Sequence, residues 1–223
     1  LFRPAYSVQA RELTQMQTIL QNQIERIGSH FFKEGSVIIP GQTGFDVTYS
    51  YVKLQATFTD SNSVAHTTEN FRTSLVGVKL TGATTGVIAK IINTTAADTT
   101  DDLTIFVKYE SSGTVAGGTT NTVFGNGESL TTDTAIAYTS GGSTVTIAAA
   151  NQAALTASSA AAGVGSSASI QKGIFYIRGS FVQATTQTII LDKYSNTPSY
   201  RIGFSVAESL VTPEEETGLL DNA

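Results

Sequence analysis

Two hydrophobic periods divide this chain. Near the start, apolar positions return every seven residues: Leu13, Leu20 and Ile27 form one row, Met16 and Ile24 lie beside it, and Gln9 and Gln23 share the Met16 row. That spacing predicts an amphipathic helix. Ser7 is placed to cap it, accepting a bond from a first-turn N–H, and Gly28 to stop it. Residues 1–30 therefore read as a helical segment for oligomerisation or docking, with a seam of Leu13, Met16, Leu20, Gln23, Ile24 and Ile27. Leu and Ile mixed with Gln make a narrow, partly polar seam, which suits a few helices side by side better than a dry core. About three heptads is short for an isolated coiled coil, so adjoining β structure would have to support it. The stripe fits a helix laid on its own β domain, and equally one that also meets copies of itself.

Beyond residue 30 the period falls to two, the mark of strands. A turn at 30–35 leads into a strand at 36–39, closed by Pro40-Gly41. Phe45, Val47, Tyr49 and Tyr51 then alternate on one face. Val52, Leu54, Ala56 and Phe58 continue with the phase moved by one, which predicts a bulge or bend near Tyr51. Short strands separated by Gly, Thr and Asp follow at 76–80, 85–93, 103–110, 122–124 and 128–132, then a hairpin of 135–139 with 144–148 around Gly141-Gly142. Residues 149–170 are mostly Ala, Ser and Gly, with Leu155, Val164 and Ile170 the larger apolar residues. So little apolar surface does not offset the entropy of ordering, and the stretch reads as a linker. Strand signals return at 173–183, 188–192 and 200–206.

The expected fold is mainly β with an N-terminal α-helix. A discontinuous antiparallel β domain, residues 31–72 and 171–212, carries a small β module inserted at 73–148. Residues 213–223 begin a further element, because Thr212-Pro-Glu-Glu215 is a capping box with Pro at the first helical position. The chain starts at Leu1 and stops just as that element begins, so it reads as a fragment of something longer.

Composition narrows the functional classes. Charged residues make up 14% of the chain, against roughly 25% in an ordinary globular protein. Thr, Ser, Ala and Gly fill the difference, so solubility comes from hydroxyls, as in extended β assemblies, and the branched Cβ of Thr suits strands. A net charge of −5 and a pI near 5.0 argue against a phosphate-binding surface, so no nucleic-acid partner is expected. There is no cysteine, which excludes disulfides, thiolate chemistry and Cys-based zinc sites. No apolar run nears the ~18–20 residues that span a bilayer, so no membrane insertion is expected.

Three segments share a resemblance. They are Phe2-Arg-Pro-Ala-Tyr-Ser-Val-Gln-Ala-Arg-Glu-Leu-Thr-Gln-Met-Gln17; Gly173-Ile-Phe-Tyr-Ile-Arg-Gly-Ser-Phe-Val182 through Leu191-Asp-Lys-Tyr194; and Pro198-Ser-Tyr-Arg-Ile-Gly203 with Leu220-Asp-Asn-Ala223. Together they resemble a family of tailed-bacteriophage structural proteins, the tail-fibre or baseplate proteins of marine and cyanobacterial phages. The likeness covers both ends of the chain. The Thr-rich centre, about residues 73–170, matches less distinctly, though Leu80-Thr-Gly-Ala-Thr-Thr-Gly-Val87 has the texture of β modules in such fibres. The resemblance implies an architectural role: a homotrimeric subunit of the virion tail, assembled in the host cytoplasm, whose partners are itself and other tail or baseplate proteins. It brings no catalytic motif, cofactor or metal site.

Candidate chemistry is sparse. His30 follows the helix beside Phe31-Phe32 and reads as structural; His66 lies in a polar loop and reads as solvated. Neither has metal-site spacing. Asp98, Asp101 and Asp102 read as a strand-flanking turn, with a weak calcium site as the alternative. Glu214, Glu215 and Glu216 suit a helix N-terminus, where the dipole favours negative charge. Tyr176 and Arg178 fall on one face of a strand, where packing is the expected use. No nucleophile elbow or P-loop is present, so the chain is not expected to be an enzyme and no catalytic, cofactor or metal residue is assigned. The alternative to a structural subunit is a carbohydrate- or receptor-binding module that presents loops 98–102 or 125–128 to a host glycan.

Overall fold

The structure, a computed structural model, describes residues 9–114, 118–209 and 211–220; the expected Ser7 cap lies outside them. Helix α1 (Ala10–Phe31) opens the fold. The Glu12 carboxylate accepts the Gln9 N–H at 3.0 Å, satisfying a free donor where negative charge is favoured. Gly28 does not stop the helix, which runs on to Phe31. Its missing side chain serves a different end: a Cβ there would come within 2.7 Å of the Tyr176 ring. That close approach lets the Tyr176 hydroxyl donate to the Glu25 carbonyl at 3.1 Å.

The chain then enters strands β1 (Val37–Ile39) and β2 (Thr43–Lys53), the hairpin β3 (Thr57–Thr59) and β4 (Ala65–Thr67), and a 3₁₀ helix over Thr68–Leu75. Next come β5 (Lys79–Gly82), β6 (Ile88–Thr95) and β7 (Thr104–Ser111), followed by the short pair β8 (Gly113–Thr114) and β9 (Thr120–Asn121). β10 (Ser129–Thr132), the hairpin β11 (Ile136–Ser140) and β12 (Ser143–Ile147), then β13 (Gln152–Leu155) and β14 (Ala162–Ile170) follow. β15 (Gly173–Ile177), β16 (Ser180–Ala184) and β17 (Gln187–Asp192) complete the strands. Eight of them form one antiparallel sheet in the order β13-β10-β5-β6-β7-β2-β14-β17, and β1-β15-β16 form a second, smaller one. The mainly β class with a single N-terminal helix is thus the observed one.

Four expectations change. Residues 149–170 are not a linker: β13 and β14 lie in the large sheet, and β14 sits between β2 and β17. Small residues are used there because neighbours come close. A Cβ on Gly163 would lie 2.6 Å from the Tyr51 hydroxyl, and one on Gly165 would overlap the Lys193 carbonyl. Residues 73–148 are not a module apart, since β7 pairs directly with β2, Tyr51 opposite Phe106 and Val52 opposite Ile105. The bulge falls at Val47-Thr48 rather than near Tyr51: Gly165 faces Tyr49 while Ser167 faces Asp46. The apolar pattern shifts near Tyr51 because β2 is covered on both faces there. Tyr49 stacks on Phe106 at 5.0 Å between ring centroids, whereas Val52 and Leu54 enter the main core. Finally, residues 200–206 form no strand.

The core is lopsided. Its buried cluster runs from Val52 to Ala154 and takes in Phe58, Phe71, Leu75, Leu80, Ile91 and Ile105. The 3₁₀ helix and the β3–β4 and β11–β12 hairpins cover that face of the sheet; Phe71 meets the Tyr138 ring at 4.9 Å and Phe58 at 6.4 Å. The other half, made of α1, the small sheet, the far ends of β2, β14 and β17 and the chain after β17, leaves large apolar side chains in water. Phe45, Ile189, Phe181 and Val182 are among them.

Candidate self-association surface

α1 stands on the rest of the chain by its last turns alone. No residue of the helix is buried. Phe32 packs against Tyr176 at 5.5 Å and Phe181 at 6.0 Å between centroids. Tyr176 is the buried member of this trio, 2% exposed. The β15–β16 turn completes the joint. Arg178 and Gly179 both have positive φ, 45° and 81°, the geometry of a two-residue hairpin turn whose twist matches its strands. A Cβ on Gly179 would lie 2.7 Å from Glu25 Cβ. Gly179→Ala therefore combines a strained φ with a clash against the helix, and a loss of about 1–3 kcal/mol is expected, read as a fall in the thermal midpoint. Arg178 lies in this turn rather than on a strand face shared with Tyr176. Its N–H donates to Glu34 at 3.1 Å, and its guanidinium meets Glu208 at 2.9 Å.

Every predicted seam residue faces solvent. Leu13, Met16, Leu20, Ile24 and Ile27 are 41–60% exposed, and Gln23 is exposed among them. Ile19, at 50% exposure, and Phe31, at 76%, widen the stripe beyond the six residues named from the heptads. Ile19 flanks the strict seven-residue rows, and Phe31 continues the Ile24 row beyond the expected stop at Gly28, so the six named positions pass over both. The whole chain exposes 14656 Å². A compact monomer of its 23.4 kDa would expose about 9,700 Å². The excess, on the order of 5,000 Å², is the scale that obligate subunits bury against one another.

The polar candidates are tied into the fold. Lys193 reaches Asp101 at 2.6 Å and Asp98 at 3.3 Å, so a side-chain cation already sits where a calcium ion would. Asp98 also accepts the N–H groups of Thr100 and Asp101, both at 2.9 Å, and these bonds hold its carboxyl well below the usual aspartate range. A depressed folded pKa stabilises the fold above the unfolded value of 3.8, and that contribution fades as pH falls toward the folded one. Asp60 behaves alike, held down first by the Val64 N–H. Lys193 is raised, first by its bond to Asp101, so its share is full below 10.5 and is lost at higher pH. Asp98→Asn should flatten the fall in thermal midpoint between pH 4 and pH 2, relative to the native chain, in an acid titration by circular dichroism.

His66 is buried, not solvated. It is 3% exposed, stacks on Phe58 at 5.0 Å, and bridges the Tyr138 hydroxyl at 2.7 Å and Asp60 at 3.2 Å. It clips one hairpin to the other. Its place in the polar run around residues 60–68 hid this, though its pairing opposite Phe58 follows from strand alternation. His30 is exposed in the last helical turn, where a positive charge would suit the dipole. Glu128, expected at the junction of the 125–128 loop and the 128–132 strand, is buried, 3% exposed. Its carboxylate accepts the N–H groups of Thr84 at 2.8 Å, of Thr85, and of Gly125 at 2.7 Å, together with the Thr85 hydroxyl. Glu215 accepts the Thr212 N–H at 3.2 Å, and residues 213–215 form a turn before a 3₁₀ turn at Thr217–Leu219. Among the described residues, no cluster of His or acidic side chains could hold a metal ion, and no helix is long and apolar enough to cross a membrane.

Fold and surface together define an antiparallel β protein with one free-standing amphipathic helix and an uncovered apolar half. No family model, curated protein or solved structure matches the chain.

Proposed function

We propose that this chain is a non-enzymatic structural subunit that associates with copies of itself. In this reading it is a component of a bacteriophage tail fibre or baseplate, homotrimeric in the virion, joining the tail to distal host-recognition parts. The exposed seam of α1 carries the proposal: a helix with no buried residue and a row of Leu, Met and Ile in water is unfinished as a monomer. The excess surface, of which the same helix is a part, agrees with it. The phage assignment rests on the likeness of the two chain ends. The glycan-binding alternative gains no support from its loops, since Lys193 occupies the Asp98–Asp101 pair and Glu128 turns inward.

Light scattering on the native chain tests the proposal, with the mass of a trimer expected. Leu20→Lys places a charge in the seam of each copy, at a cost on the order of 2–3 kcal/mol per seam position. It is expected to split the oligomer while the far-ultraviolet β signal stays, because the core lies elsewhere. A native chain that remains monomeric at micromolar concentration overturns the reading.

A further inference from the structure

We infer that residues 200–206 are a β-strand that pairs with the open sheet edge of a neighbouring copy of this chain. This deepens the self-association reading and rests on it. The segment alternates strictly: Tyr200, Ile202, Phe204 and Val206 on one side, Arg201, Gly203 and Ser205 on the other. Its apolar side is 49–64% exposed. Residues 198–209 make no backbone–backbone hydrogen bond among the described residues. A period-two ridge with a full row of unpaired amides is a strand without a mate, and an isolated strand is not stable in water.

The matching edge is β17. It ends the large sheet, with β14 on its inner side and no strand on its outer side among the described residues. Ile189 of β17, Ala168 of β14 and Phe45 of β2 stand directly opposite one another across the three strands. They floor an apolar cleft of about 490 Å³. The chain's own Ile202 and Phe204 border that cleft, and Phe204 meets Phe175 at 5.5 Å. Side chains of the segment thus touch the cleft, while its amides do not reach β17. A second copy is the occupant because each chain carries both an open edge and an unmated strand. The uncovered area is also of the size that interlocked subunits bury. A strand added to β17 extends the sheet across the subunit boundary and lays its apolar ridge along the cleft.

Hydrogen exchange read by mass spectrometry tests the pairing, on the native oligomer and on Leu20→Lys/Ile24→Lys chains dissociated through the helix. Dilution of the native chain to its monomer gives the same comparison without substitution. Amides of 200–206 are expected to exchange at least ~100-fold more slowly than an unstructured peptide in the oligomer, and at the unstructured rate after dissociation. Unprotected amides in an intact oligomer overturn the strand exchange and leave self-association standing. Protection that survives dissociation means that the segment pairs within its own subunit, and also overturns it. A native chain that is monomeric throughout removes the self-association reading, and this inference with it.

Discussion

Glu128→Ala is expected to destabilise the β domain by about 3–5 kcal/mol, read from the urea midpoint of the native-like far-ultraviolet signal. The carboxylate is the common acceptor for the loop after β5 and the loop before β10, through Thr84, Thr85 and Gly125. Removing it frees three backbone donors at once: that of Thr85 is buried and those of Thr84 and Gly125 are part-buried, and an unsatisfied buried donor costs roughly 1–3 kcal/mol. Gly82 gives the carboxylate its place, since a Cβ there would come within 2.5 Å of it. Glu128→Gln keeps one acceptor oxygen and the side-chain volume, and should lose about half as much. Equal losses for the two variants would show that shape, not the acceptor, holds these loops.

Phe71→Ala should cost a similar amount, about 3–5 kcal/mol, for a different reason. Phe71 is fully buried, wedged between the Phe58 and Tyr138 rings under the 3₁₀ helix. Its loss leaves a cavity bounded by elements from three places in the chain, and close-packed neighbours relax into such a space only in part. Phe71→Leu refills most of the volume and should recover more than half of the loss. The oligomer contacts proposed for α1 lie away from this cluster. The stability loss should therefore appear equally in the native chain and in the Leu20→Lys variant.

The parts of the fold that could be read in advance are those whose residues signal locally. The β11–β12 hairpin was legible because Gly141 and Gly142 supply two consecutive positive φ values, 58° and 81°, between alternating apolar positions. β14 was not legible, because its Ala, Gly and Ser residues answer to a tertiary demand. Ser166 and Ser167 are buried, and the strand's glycines make room for Tyr51 and for the Lys193 backbone. Such a strand carries no hydrophobic alternation to detect. Residues 200–206 present the reverse case: the period is plain, but they pair with no strand among the described residues. The helix and its apolar stripe were legible because seven-residue spacing is a local signal, present whether or not anything covers the stripe. The burial of Glu128 and His66 was not legible, since a lone polar residue does not announce the donors or rings that will enclose it.

The position of β14 also sets a timetable for synthesis. β2 cannot gain its second neighbour until residues 162–170 have left the ribosome, more than a hundred positions after Lys53. By then the whole of α1 has long been free, its sticky stripe open to other nascent chains before any sheet exists to hold it in place. Under the self-association proposed above, helices emerging from adjacent ribosomes on one message meet first, and crowded expression should favour tangled products over slow, dilute production.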